Sequence, residues 1–215
     1  MNELLPIDPD YPDKFKRFTS LKSIYYQGDK KLLTKDSYFV SVIGARKPSS
    51  YGEKTAYEFA YELAKRDVVV ISGLARGIDT VAHKAALDAG GATIAIVGSG
   101  LDITYPPENI SLFKKITKNN LVVSQFRAGT KPYGANFLKR NKLIAALSDI
   151  VLVVEGRPRS GTLNTARYAA EMGTEVFAVP GRIDSELSFA PNYLIENGAG
   201  IATNIDCIME TLLLH

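Results

Sequence analysis

The stretch IVLVVEGRPRSGTLNTARYAAEMGTEVFAV (residues 150–179) contains a complete β–α–β signal. Residues 150–154 are apolar and mostly β-branched, as in a strand buried on both faces. Residues 162–173 repeat apolar positions at helical spacing, and 175–179 form a second strand-like run. Two parallel strands need a crossover of a dozen or more residues between them, and the intervening helix supplies it.

The same alternation extends towards the N-terminus. Strands are predicted at 39–43, 68–72, 93–97 and 121–124, with helices at 52–66, 78–90, 107–118 and 136–147. Near-continuously apolar strands separated by helices require a parallel sheet covered on both faces. The fold class is therefore α/β, a doubly wound, mostly parallel Rossmann-like domain over residues 37–215. Residues 1–36 read differently, with three prolines near the start, a short helix at 13–18 and a strand at 24–29 that turns at Gly28. They are expected to form an N-terminal extension packed on the core. The tail, 204–214, has Asn204 as an N-cap and helical spacing, so it closes the chain as a helix.

Composition narrows the function classes. The chain of 215 residues is 46% hydrophobic and 23% charged, an ordinary globular balance. Its one cysteine, Cys207, allows no intramolecular disulfide and no thiolate metal cluster, and two histidines leave little for an imidazole site or a Ser-His-Asp arrangement. The polar, proline-containing start is no secretory signal, and no apolar run approaches the roughly 20 residues of a membrane span. The expectation is a cytoplasmic protein with no membrane contact, no metal and no cofactor.

Ligands of open parallel sheets sit beyond the carboxyl ends of the strands. The segments there are GARKPSSYG (44–52), SGLARGID (72–79), GSGLDITYPPEN (98–109), EGRPRSGTLNTAR (155–167) and PGRIDS (180–185). One such loop would read as a strand ended by glycine with a hydroxyl N-cap. Several on one sheet edge point to an anionic ligand at helix N-termini, with Gly77 and Ser160-Gly161-Thr162 as candidates. Neither nucleotide fingerprint is intact: Ile103 stands where the third glycine of G-x-G-x-x-G belongs, and no P-loop is present. Asp79 and His83 lie four residues apart on one helix, but without a nucleophile the pair reads as structural.

Charge is unevenly distributed. Between Phe126 and Arg167 eight cations (Arg127, Lys131, Lys139, Arg140, Lys142, Arg157, Arg159, Arg167) face two acids (Asp149, Glu155), although the whole chain is only +3, so the remainder is net acidic. A positive stripe beside phosphate-type loops fits a nucleic-acid backbone. It opens with GANFLKRNKLIAALSD (134–149), where Asn136 is expected to cap the helix and Leu143, Ile144 and Leu147 to face the sheet. Phe137 near that helix start reads equally as an apolar staple or as a platform for a base among cations.

Taken in order, GAR (44–46), SGLARGIDTVAH (72–83), GSGLDITYPPEN (98–109), GANFLKRNKLIAALSD (134–149), VVEGRPRSGTLNTAR (153–167) and EVFAVPG (175–181) resemble the DNA-processing protein A (DprA/Smf) family over roughly residues 20–200. The resemblance implies an extended Rossmann domain that forms a homodimer, binds single-stranded DNA and helps load the RecA recombinase in natural transformation, without catalytic turnover. It assigns DNA binding to Arg46, Lys47, Gly73, Arg76, Gly98, Ser99, Phe137, Lys139, Arg140, Asn141, Lys142, Ser160, Gly161 and Thr162. The family element F-x-x-R-N-R is here Phe137-Leu138-Lys139-Arg140-Asn141-Lys142, so Lys142 keeps the charge and loses bidentate phosphate contact. Two further departures are the missing glycine before the asparagine in DSELSFAPNYLIENGA (184–199) and a chain with no room for the additional N- or C-terminal domains of many members, which reads as a core-only or truncated form. The alternative is a small-nucleotide-binding protein of the lysine-decarboxylase-like group, whose hydrolases use G-G-x-G-T-x-x-E. Thr165 here stands at the position of that glutamate.

Overall fold

A computed structural model of the chain describes residues 2–214. The first elements are β1 (Asn2–Leu4), α1 (Asp13–Lys16) and β2 (Ile24–Gly28). The main alternation then runs β3 (Phe39–Ile43), α2 (Ser50–Lys65), β4 (Val69–Ser72), α3 (Ile78–Asp88), β5 (Thr93–Val97), α4 (Ile110–Asn119) and β6 (Leu121–Ser124). It continues through α5 (Gly134–Leu147), β7 (Ile150–Val153), α6 (Gly161–Glu171), β8 (Glu175–Ala178), α7 (Phe189–Glu196), β9 (Gly200–Ile201) and α8 (Ile205–Leu213). One nine-stranded sheet collects all strands in the order β1-β2-β6-β5-β4-β3-β7-β8-β9. From β6 through β9 every pairing is parallel, whereas β2 is antiparallel to both β1 and β6. This is the expected doubly wound, mostly parallel sheet.

Strand alternation divides the core in two. Ile43, Ile71, Ile96 and Val153 point to a layer with Leu143, Ile144 and Leu147 of α5 and Ala166 and Ala169 of α6. Val42, Val70 and Leu152 point the other way, to Ala60 and Leu63 of α2, Ala82 and Ala86 of α3, and Ile208 of α8. Leu112, Phe113 and Ile116 of α4 continue that second layer over Ala95 and Val122. The three apolar residues assigned to the sheet-facing side of α5 are all buried. No helix among the described residues is long and apolar enough to cross a membrane.

The N-terminal segment enters the sheet itself, since β2 pairs along β6 and Phe15 and Ile24 are fully buried. It thereby covers an edge whose N–H and C=O groups would otherwise lack partners. α5 starts two residues earlier than expected, at Gly134 after Tyr133. Asn136 therefore does not cap it; its side-chain amide donates to the Lys131 carbonyl at 3.1 Å. Asn204 does cap α8, accepting from the amides of Asp206 and Cys207. β1, β9 and α7 were not legible in the sequence, because they are too short to show a periodic pattern.

Candidate nucleic-acid interface

The chain winds outward from β3 in two directions, through β4, β5 and β6 on one side and β7, β8 and β9 on the other. The long crossover from β6 to β7 carries α5 back over the sheet, so its N-terminal turn ends above the exits of β4 and β5. A cleft forms there, lined by Arg46, Gly73, Ala75, Arg76, Gly98, Ser99, Tyr105, Pro106 and Phe137. Close approach explains the glycine at the β5 exit: a Cβ on Gly98 would lie 2.8 Å from Cδ1 of Phe137.

Phe137 is the half-buried centre of this cleft. The guanidinium of Arg46 lies over its ring at 5.3 Å, that of Arg140 at 5.8 Å, and the Tyr105 ring is 5.7 Å away, tilted by 44°. Arg76 lies over Tyr105 at 6.0 Å and donates from Nε to Glu108 at 2.6 Å. That hydrogen bond holds the Arg76 pKa above and the Glu108 pKa below their ordinary values, and both groups are solvent-exposed. Arg46 is exposed and its neighbour Lys47 likewise. The result is an aromatic pair edged by cations, suited to stacking a planar base while neutralising a phosphate.

Arg140 is placed differently from its neighbours in sequence. It is only 4% exposed and lies behind the cleft wall, outside the residues that line it. Nη1 donates to the carbonyls of Gly73 and Ile96, the latter at 2.6 Å, and Nε donates to Oδ1 of Asn141 at 3.1 Å. Burial, partly offset by the carboxylate of Asp79 and reinforced by Arg46, lowers its pKa to about 10. Asp79 accepts from the Gly73 and Ala75 amides, and burial raises its pKa. The buried Asn141 extends the network by donating to the Gly161 carbonyl at 3.2 Å, which ties α5 to the start of α6. Arg140 and Asn141 thus brace the cleft from below.

The remaining expected residues are dispersed. Ser99 lines the cleft, but its hydroxyl donates to the Ile103 carbonyl at 2.8 Å. Ser160, Gly161 and Thr162 begin α6, outside the residues lining the cleft. Lys139 and Lys142 project to solvent from α5, with Lys142 beside Tyr168 of α6. His83 is fully buried; its Nδ1 meets the Thr93 hydroxyl at 2.7 Å, and burial lowers its pKa to about 3. Asp79 and His83 are therefore both interior, in keeping with a structural pair.

Two participants escaped the sequence reading. Tyr105 stands inside the quoted GSGLDITYPPEN, but nothing local distinguishes an aromatic lining a cleft from one packed in a core. Glu155 is buried against the N-terminus of α2, accepting from the Ser49 amide at 2.9 Å and the Ser49 hydroxyl at 2.5 Å. This first turn beside the β3/β7 switch point is where a Rossmann protein would hold a nucleotide phosphate. Here the chain's own carboxylate fills it.

The family model for DNA recombination-mediator protein A matches residues 2–213. The chain belongs to that family. A member from Escherichia coli, protein Smf, is 41% identical over 98% of this chain, but the match covers 57% of its own length. The chain thus spans little more than half of such curated relatives. The structure of DNA processing protein A from Streptococcus pneumoniae superposes with a TM-score of 0.92 at 37% identity, covering 97% of this chain and 73% of that one. The Helicobacter pylori counterpart gives 0.88 at 32% identity, covering 99% and 96%. In this member of the DNA recombination-mediator protein A family the F-x-x-R-N-R element divides by burial: Phe137 lines the cleft, Arg140 and Asn141 are buried, and Lys142 is exposed beside Tyr168 of α6.

Proposed function

We propose that the cleft binds single-stranded DNA, and that the chain acts in DNA processing by holding incoming single strands and helping to load the RecA recombinase during transformation. The observation that carries this reading is the Phe137 ring at the carboxyl edge of the sheet, with the exposed Arg46 guanidinium 5.3 Å above it and Tyr105 at its side. The H. pylori relative binds single-stranded DNA, which supports the same ligand here. Binding without turnover, a cytoplasmic setting, RecA contact and a homodimer are the finer parts of the proposal and rest on family membership. A small-nucleotide site is disfavoured because Glu155 occupies the helix end that would receive the phosphate.

Fluorescence anisotropy with labelled oligonucleotide at two salt concentrations tests the reading. Single strands should bind with a steep salt dependence, about −0.7 in logarithmic slope per neutralised phosphate, and free nucleotides should not compete. Phe137→Ala should weaken binding by about 1–3 kcal/mol, and Arg46→Ala should reduce the salt slope. A shallow slope with saturation by free nucleotide would instead establish a mononucleotide site.

A further inference from the structure

Away from the cleft, on the face where α5 and α6 lie side by side, a second aromatic is set among cations. The Tyr168 ring is half-buried, with Lys142 Nζ over it at 5.0 Å and the Arg167 guanidinium at 4.8 Å. Arg167 also bridges Glu171 at 2.8 Å across the exposed surface of α6. One turn before Lys142, towards the cleft, Lys139 projects to solvent. Lys142 lies five residues beyond Phe137, about 7.5 Å along the helix axis at 1.5 Å per residue. Packed helices are about 8–10 Å apart and Lys142 lies about 140° around α5 from Phe137 at 3.6 residues per turn, so a strand passing from the cleft to Tyr168 crosses the outer surface of α5 by the exposed Leu138 and Lys139.

We propose that Tyr168, with Lys142 and Arg167, is a second base-stacking platform on which a single strand leaving the Phe137 cleft continues across the α5–α6 face. The inference rests on the single-strand reading of the cleft and extends it. The cations already over the ring hold a place that a base would take. An exposed cation–π contact is weaker than base–aromatic stacking, so a base displaces one of them, and the freed ammonium or guanidinium moves to the adjoining phosphate. This also accounts for the position of Lys142, which shares a sequence element with Phe137 yet lies outside the residues lining the cleft. The competing role for the trio is a clamp between two helices, which would affect stability and leave strand length irrelevant.

Length dependence separates the two. A ladder of labelled oligo-dT from roughly four to sixteen nucleotides, the range of known single-strand site sizes, is titrated against the full chain and its variants. Tyr168→Leu, which keeps apolar packing and removes the ring, should lower affinity for the longest strands about five- to a hundredfold. The shortest strand that fills the cleft should bind unchanged. Equal loss at every length, or no loss at the longest, overturns the proposal. Should Tyr168→Leu fail to fold, Lys142→Gln reads the same site. It should make the salt slope less steep by about 0.7 for long strands only, and an unchanged slope overturns the platform. If the parent chain binds no member of the ladder, the cleft reading itself fails. If Phe137→Ala weakens binding and Tyr168→Leu does not, only the second platform is lost.

Discussion

Arg140 is the residue for which sequence and structure imply opposite experiments. As a DNA contact, its removal would weaken binding and leave the fold intact. As a buried brace behind the cleft, its removal should act first on stability. Replacing Arg140 with Met retains bulk and removes every donor, leaving the Gly73 and Ile96 carbonyls without their guanidinium partner. At about 1.5–3 kcal/mol for each charge-assisted bond, losing those two costs about 3–6 kcal/mol. Relief of an unfavourably buried charge offsets part of this. The fall of the Arg140 pKa from 12.5 to about 10 corresponds to about 3 kcal/mol against the charged form. The balance is a loss of up to about 3 kcal/mol, and for a domain of this size a drop of up to about 6–12 °C in Tm. Guanidinium-induced unfolding and calorimetry measure the loss, and the salt dependence of oligonucleotide binding by the folded variant completes the test. A phosphate contact would contribute about 0.7 to the logarithmic salt slope. An unchanged unfolding midpoint together with a slope reduced by that amount would refute the buried-brace assignment.

Gly98→Ala should do the reverse of Arg140→Met. Its Cβ would crowd Cδ1 and Cε1 of Phe137 at 2.8 and 3.1 Å, displacing the ring, so binding should fall by up to about 1–3 kcal/mol with less than about 1 kcal/mol of stability lost; unaltered affinity would show that ring position is immaterial. His83 makes stability depend on pH. The unfolded chain takes up a proton near 6.5, whereas burial in the fold delays it to about 3. Stability from this group is complete above pH 6.5 and falls on acidification, by about 2–3 kcal/mol by pH 4.5. Asp79, with a raised pKa, works in the opposite direction at the acidic end. Urea midpoints from about pH 7 to 4.5 should therefore fall less steeply for His83→Gln than for the parent; equal slopes would exclude the buried neutral imidazole.

Much of the architecture was written in local pattern. The runs at 39–43, 93–97 and 150–154 became β3, β5 and β7 because residues buried on both faces must be apolar throughout, and that requirement is visible without knowing the neighbours. Leu143, Ile144 and Leu147 were legible for the same reason, since helical spacing alone puts them on one face. The glycine-ended strand exits picked out one edge of the sheet, and Phe137, Arg46, Arg76, Gly73 and Gly98 do meet there. Register and pairing were less accessible. Ile24–Gly28 was recognised as a strand, but its place beside β6 depends on contacts about a hundred residues away.

The sequence by itself determined the parallel α/β sheet, the edge at which the glycine-ended loops gather and the concentration of basic residues in one segment. These follow from periodicity and charge, which are properties of near neighbours along the chain. Only the tertiary structure decided which charges line the cleft and which are buried. Arg140 and Lys142 are two residues apart in one basic helix, yet the twist of α5 turns one guanidinium inward to backbone carbonyls and carries the other cation outward to Tyr168. Glu155 likewise follows a strand like any exposed acid, and only the meeting of β7 with the start of α2 makes it the anion at that helix end. Burial and partnership are set by elements distant in sequence, so residue type can propose a cation for DNA but not tell a phosphate contact from a strut.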